Sequence, residues 1–175
     1  MSYTYSFPRH AVTTDTVVFK SGPNCIEVLL VKRNHEPFKD FWALPGGFLE
    51  MEETPEDGAR RELKEETGVE IHTMKEIGAF GDIHRDPRGR IITIAYYSFL
   101  NHPNHNGLKA LSDAADANWF SISRLPEMAF DHQEILDEAI LKLKSHVILA
   151  KLNILDFFNL KGEELKSIYH CLGLS

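Results

Sequence analysis

The chain reads as one mixed α/β domain, an α+β or α/β sandwich, and three observations predict it. Segments rich in β-branched and apolar residues recur at 11–20, 26–32 and 91–100. Two other stretches, 55–67 and 132–147, carry helix boundary signals or helical periodicity. Strands and helices are mixed without regular alternation. A length of 175 residues fits one such domain with a core of its own.

The elements follow in order. Residues 11–20 are rich in Val and Thr and read as a strand, closed by the turn Ser21-Gly22-Pro23-Asn24. Residues 26–32 form a second strand. Residues 34–41 are a loop ending at Phe41 and Trp42, followed by Leu44-Pro45-Gly46-Gly47-Phe48, where two glycines permit unusual backbone angles. A helix is predicted over 55–67. Thr54 can cap it, Pro55 suits its first position, Glu56 and Asp57 suit its positive end, and Gly68 stops it. Residues 69–84 read as an irregular strand. Asp86-Pro87-Arg88-Gly89 fits a type I turn, and 91–100 is a strong strand, so this pair should be a hairpin. Residues 101–107 are a polar loop and 117–121 a short strand. Ile135, Leu136, Ala139, Ile140 and Leu143 give 132–147 its helical period. Residues 149–172 should hold one or two short helices.

Composition narrows the function classes. A hydrophobic share of 43% and a charged share of 26% exclude disorder, collagen and coiled coil as whole-chain readings. No apolar run approaches the ~18 residues of a membrane span. The first ten residues lack the layout of a secretory signal. Cys25 and Cys171 form no CxxC pair, so neither a disulfide framework nor a zinc knuckle is expected, and a reducing cytoplasm is the default location. The nine histidines show no HxxxH or HExxH spacing. A net charge of −7 argues against non-specific nucleic-acid binding. Nine acids against three bases between Phe48 and Glu70 leave −6 there, nearly the whole excess. Such a concentration is either a solvated helix face or a cation site.

Glu62, Glu65 and Glu66 stand at i, i+3 and i+4, which places them on one helical face. Mg²⁺ and Mn²⁺ prefer carboxylate oxygens and commonly bridge to substrate phosphates. Ala59 and Leu63 can face the core, and Arg61 can hold a glutamate by a forked pair. The wider spacing is Gly47, five residues, Glu53, seven residues, Arg61-Glu62-Leu63, one residue, Glu65-Glu66, one residue, Gly68-Val69. This matches the Nudix box at every fixed position, and Trp42-Ala43-Leu44-Pro45-Gly46-Gly47-Phe48 is similar to the usual lead-in. The resemblance to the Nudix hydrolases covers about 11–143.

The resemblance implies an α/β/α sandwich with a mixed central sheet and a loop–helix–loop box, a Nudix domain over 1–148 and a helical extension over 149–175. It implies Mg²⁺, with Mn²⁺ as a substitute, held by Glu62, Glu65, Glu66 and the Gly46 carbonyl. Arg61 would orient a box glutamate, and Glu53 would assist the metal site or its water, so Glu53, Arg61, Glu62 and Glu65 are the catalytic candidates. The general base is left open between the box glutamates, which are favoured, and Asp113, Asp116, Asp131 and Glu134.

Two further segments bear on substrate. His84-Arg85-Asp86-Pro87-Arg88-Gly89-Arg90 resembles a stretch of bacterial ADP-ribose pyrophosphatases and of related regulators of NAD metabolism. Phe130-Asp131-His132 resembles a segment of the same proteins. Arg85, Arg88 and Arg90 are therefore candidates for phosphate or ribose contacts, or else keep a tight turn soluble. Asp131 can instead be a helix N-cap. Trp42 can stack on an adenine or pack in the core, and the same holds for Phe38 and Phe41. The implied reaction is hydrolysis of a nucleoside diphosphate-linked substrate, foremost ADP-ribose to AMP and ribose 5-phosphate. The implied partners are a nucleotide-type small molecule and a second copy in a homodimer, with no nucleic acid and no membrane. The alternatives are a Nudix enzyme for other nucleotides and an ADP-ribose-sensing module of a shortened transcriptional regulator. The tail 157–170 resembles the start of such regulators' winged helix. It is charge-balanced, however, with Lys151, Lys161 and Lys166 against Asp156, Glu163 and Glu164, and the expected remainder of a winged helix does not follow.

Overall fold

A computed structural model describes residues 4–22, 25–100, 114–160 and 162–174. The elements are β1 (Ala11–Ser21), β2 (Ile26–Arg33), β3 (Trp42–Ala43), β4 (Gly46–Phe48), α1 (Pro55–Thr67), β5 (Lys75–Phe80), β6 (Ile91–Leu100), β7 (Ala114–Ser121), α2 (His132–Lys151) and α3 (Gly162–Cys171).

β1 is the spine because its Val and Thr residues are buried on both faces. It runs parallel to β6 in unbroken register from Ala11↔Ile91 to Lys20↔Leu100. Alternation then sorts its side chains. Val17 and Phe19 join a cluster with Ile135, Leu136, Ala139 and Leu143 of α2, while Val18 joins Ala59 and Leu63 of α1. The helices thus cover opposite faces of a mixed sheet, the expected α/β/α sandwich. The sheet has the order β3-β2-β1-β6-β5, with β4 on β1 and β7 on β2.

β1 and β2 pair only from Phe19↔Val28 to Ser21↔Ile26. They then part: the other end of β1 takes β4, through Thr13↔Phe48 to Asp15↔Gly46, and β2 takes β3 and β7. The wedge between them positions the site.

The helix signals hold at α1. Thr54 Oγ1 accepts from the Asp57 N–H, and Gly68 closes the helix in the left-handed region at φ 72°. The expected strand over 69–84 forms only at Lys75–Phe80. Upstream, the Ile71 and His72 carbonyls accept from Arg60, which takes them out of a ladder, and Val69, Ile71 and Met74 pack beneath α1. The Asp86–Gly89 turn forms, with the Gly89 N–H donating to the Asp86 carbonyl. The expected polar loop at 101–107, the turn residues Pro23 and Asn24, and Asp113 lie outside the described residues. α2 runs unbroken past residue 148 to Lys151, and Ile168 and Leu172 of the tail share the core cluster of α2.

Candidate active site

One wall of the wedge is α1. Its Arg61 is the hub of an acidic network that ties the helix to the preceding loop. Arg61 donates in a fork to Glu53, at 3.0 and 2.7 Å, and to the Phe48 carbonyl at 3.1 Å. Its Nη1 donates to Glu62 at 2.7 Å and to Glu65 at 3.2 Å. The fork, aided by the Glu50 N–H, draws the Glu53 carboxyl down to about 2, and Glu53 in turn raises the pKa of Arg61. Glycine 58 makes this approach possible. A Cβ there would meet Glu53 Oε1 at 2.9 Å and Leu49 Cδ1 at 2.9 Å.

Glu62 and Glu66, one turn apart, face the glycine pair of β4. Gly47 has no room for a side chain, since a Cβ would lie 2.5 Å from the Glu62 carboxyl carbon. Glu66 Oε2 accepts from the Gly46 N–H at 3.0 Å. Burial pushes the Glu66 carboxyl up to about 8, with Glu62 and Asp15 adding to the rise and the Gly46 N–H opposing it. Burial also raises Glu62, against the pull of Arg61. Inward carboxylates that repel one another, with oxygen atoms as the only donors, suit a hard divalent cation. Among the described residues no three His, Cys, Asp or Glu side chains form a ready cage. Arg61 holds Glu62 and Glu65, while Glu66 turns to β4.

The cleft in the wedge measures about 270 Å³. Its floor is a second charged network, assembled from distant parts of the chain. Arg85 forks onto Asp131, with both N–H···O distances 2.7 Å, and lies 3.9 Å from Asp15. Its side chain is only 4% exposed. Burial works against its charge, yet Asp131, Asp15 and Asp86 outweigh it and hold its pKa above the ordinary value. His132 Nδ1 accepts from the Leu44 N–H at 2.9 Å, which fixes the neutral tautomer with the proton on Nε2, 3.7 Å from Asp15. Arg88 at the rim forks onto Asp86, and despite burial that pairing keeps Asp86 below its ordinary pKa.

The structure therefore brings Gly46, Glu66, Arg85 and Arg88 together in the cleft, with the Glu53, Arg61, Glu62 and Glu65 network behind its wall. Trp42 and Arg90, the other two candidate substrate contacts, lie outside the cleft lining. Trp42 packs edge-on against Phe120, ring centroids 4.6 Å apart, and belongs to the core on the α2 side. Arg90 donates to the Gly81 and Asp82 carbonyls, which anchors its loop, and it does not line the cleft. Asp131 sits at the start of α2 but caps nothing with its side chain, because that carboxylate holds Arg85. Asp116 accepts from the next backbone N–H, and Glu134 lies on the other side of Asp131, in a separate shallow hollow. Asp15 and Arg33 are cleft residues that sequence reasoning missed. A lone acid inside a Val/Thr strand is the signal that could have found Asp15.

The profile of the NUDIX domain matches residues 9–139. An ADP-ribose pyrophosphatase of Methanocaldococcus jannaschii is 40% identical over 128 residues, 73% of this chain and 72% of that protein. The ADPR responsive transcriptional repressor NtrR of Acinetobacter baylyi is 28% identical over 143 residues, 79% of this chain and 56% of that protein, so the chain spans about half of that repressor. The solved NUDIX domain of Shewanella oneidensis NrtR complexed with ADP ribose superposes with a TM-score of 0.73 at 28% identity, covering 79% of this chain and 91% of that one. The profile match, the 40% relative and the intact box over α1 agree: this chain belongs to the Nudix hydrolase family.

Proposed function

We propose that this Nudix pyrophosphatase hydrolyses ADP-ribose to AMP and ribose 5-phosphate with Mg²⁺ as its cofactor and Mn²⁺ as a substitute. The observation that carries the reading is the junction at Glu66. A carboxylate wall suited to a divalent cation opens onto a cleft lined with arginines, as an anionic diphosphate requires. The 40% identity to an ADP-ribose pyrophosphatase supports the substrate. Glu62, Glu65, Glu66 and the Gly46 carbonyl would hold the ion. When bound, it supplies charge neutralisation at phosphate oxygens and a more acidic water.

The chain's own residues do the rest. Arg61 fixes the rotamers of Glu53, Glu62 and Glu65. Glu66 accepts from the Gly46 N–H, which aims its carboxylate at the junction. Arg85 presents the charged floor, held by Asp131, and His132 fixes Leu44 and with it the approach to β4. The assignment of the base to the box glutamates is supported by Asp131 being engaged with Arg85. A homodimer in the cytoplasm goes with this reading.

A panel of ADP-ribose, NADH, diadenosine polyphosphate, 8-oxo-dGTP and a UDP-sugar, each with Mg²⁺ or Mn²⁺, tests it. AMP release from ADP-ribose above the other members is expected. Turnover of another member overturns the substrate. Saturable ADP-ribose binding without turnover moves the chain to the class of ADP-ribose-binding modules.

A further inference from the structure

Four arginines surround the candidate site, and three have carboxylate partners. Arg61 is held by glutamates, Arg85 by Asp131 and Arg88 by Asp86. Arg33 differs. It lines the cleft from the end of β2, where the pairing with β7 shifts register between Lys32 and Arg33. A bulge of this kind re-aims a side chain. Its guanidinium donates only to main-chain oxygens among the described residues, to Pro37 at 2.9 Å and His35 at 3.3 Å, and forms no ion pair there. Two carbonyls orient the guanidinium, Asp86, Glu66 and Glu36 act on its charge only through space, and donors of the fork remain open.

Arg33 also faces a like charge. Its guanidinium carbon lies 4.7 Å from the Phe130 ring centroid, and that of Arg88 lies 5.3 Å from the same centroid. Burial and then Arg88 lower the pKa of Arg33 from its ordinary value, against the pull of Asp86, Glu66 and Glu36. Phe130 is held there at φ 53° in the left-handed region, with Phe38 edge-on at 4.8 Å. A non-glycine residue in that conformation is kept by its surroundings at a cost of about 1–3 kcal/mol. Two guanidinium groups thus share one aromatic ring with Asp86 as the carboxylate paired to Arg88, and the open donors of Arg33 are left for a further anion.

We propose that Arg33, together with Arg88, binds a phosphate of the substrate and is a specificity-determining residue of the cleft. The proposal rests on the reading of the cleft as a diphosphate site, and it assigns one phosphate of that diphosphate to this pair. A planar fork matches phosphate oxygens bidentately, which a lysine ammonium cannot do.

The test is calorimetric binding of α,β-methylene-ADP, a diphosphate that cannot be hydrolysed at the bridge, without divalent metal. The proteins are the unaltered chain, Arg33→Ala, Arg33→Gln, Arg33→Lys and Arg124→Ala, the last removing an equal charge from an exposed site outside the cleft. Arg33→Ala and Arg33→Gln should weaken binding about tenfold or more, the range of a lost charge-assisted hydrogen bond. Arg33→Lys should fall between, and Arg124→Ala should stay within about twofold of the unaltered chain. Should Arg33→Ala not fold, the glutamine and lysine variants decide alone. Equal binding by the folded Arg33 variants overturns the proposal, as does no binding by the unaltered chain. If the unaltered chain binds the analogue through Arg33 but leaves ADP-ribose uncleaved, the ADP-ribose reading fails and this inference stands. If ADP-ribose is cleaved and the Arg33 variants keep both KM and analogue affinity, this inference alone fails.

Discussion

The two arginine hubs of the site are built in opposite ways. Arg61 gathers Glu53, Glu62 and Glu65 from eight, one and four residues away, on a helix and its preceding loop, with 24% of its side chain exposed. Arg85 gathers Asp131 from α2 and Asp15 from β1, with 4% exposed. The local hub is a property of spacing on one helix. The distant hub exists only once the sheet and α2 have assembled around it. Energetics should separate them too, because losing one partner of a buried pair strands the other charge.

The largest expected effect tests that separation. Arg85→Ala leaves Asp131 and Asp15 buried together without a cation, and should destabilise the fold by about 3–5 kcal/mol. At roughly 2–4 °C per kcal/mol for a domain of this size, melting should fall by about 6–20 °C. Arg61→Ala should lower melting by less, about 2–6 °C, because Arg61 itself and its partner Glu65 reach water, while hydrolysis of ADP-ribose drops at least tenfold as Glu53, Glu62 and Glu65 lose their common anchor. Equal melting losses in the two variants would erase the distinction drawn here. Calorimetric scans at one pH and salt concentration decide it.

A smaller effect concerns acid. Glu53 titrates at about 2 in the folded chain, below its ordinary value of 4.5. Its contribution is therefore fully present above the unfolded pKa and is lost as the pH falls from there toward about 2. Glu53→Gln should flatten the decline of melting temperature between pH 5 and pH 3, by about 1–2 kcal/mol once solvent screening is allowed for. An acid limb identical to that of the unaltered chain would show that the Arg61 fork adds nothing to stability. The smallest effect is at Gly58. Glycine to alanine inside a helix ordinarily stabilises by about 1 kcal/mol. Here the new Cβ would press on Glu53 and Leu49 at 2.9 Å, so Gly58→Ala should gain nothing in melting and should lower activity.

The same contrast explains what the sequence revealed. The box, the Thr54 cap, the Gly68 stop and the Arg61 role are legible because their partners lie within about two helical turns, where spacing alone decides contact. Asp131 stayed open between a cap and a site residue for the opposite reason. Its position predicts a cap, but a buried guanidinium 46 residues upstream competes for it and wins. Trp42 is one of two readings resolved by packing, since only the folded sheet shows Phe120 beside it. Arg33 was invisible because its direction depends on a register shift against β7, a strand more than 80 residues later. Residues 69–74 failed as a strand because Arg60 takes their carbonyls.

The most direct measurement is steady-state hydrolysis of ADP-ribose across a Mg²⁺ titration, for the unaltered chain and for Glu66→Gln. Glu66 stands where the carboxylate wall meets the arginine cleft. The account predicts equal amounts of AMP and ribose 5-phosphate, a rate that rises with Mg²⁺, and a loss of about 100-fold or more in the variant with its melting temperature kept within a few degrees. A folded Glu66→Gln chain that hydrolyses ADP-ribose at the full rate with the same Mg²⁺ dependence would contradict it.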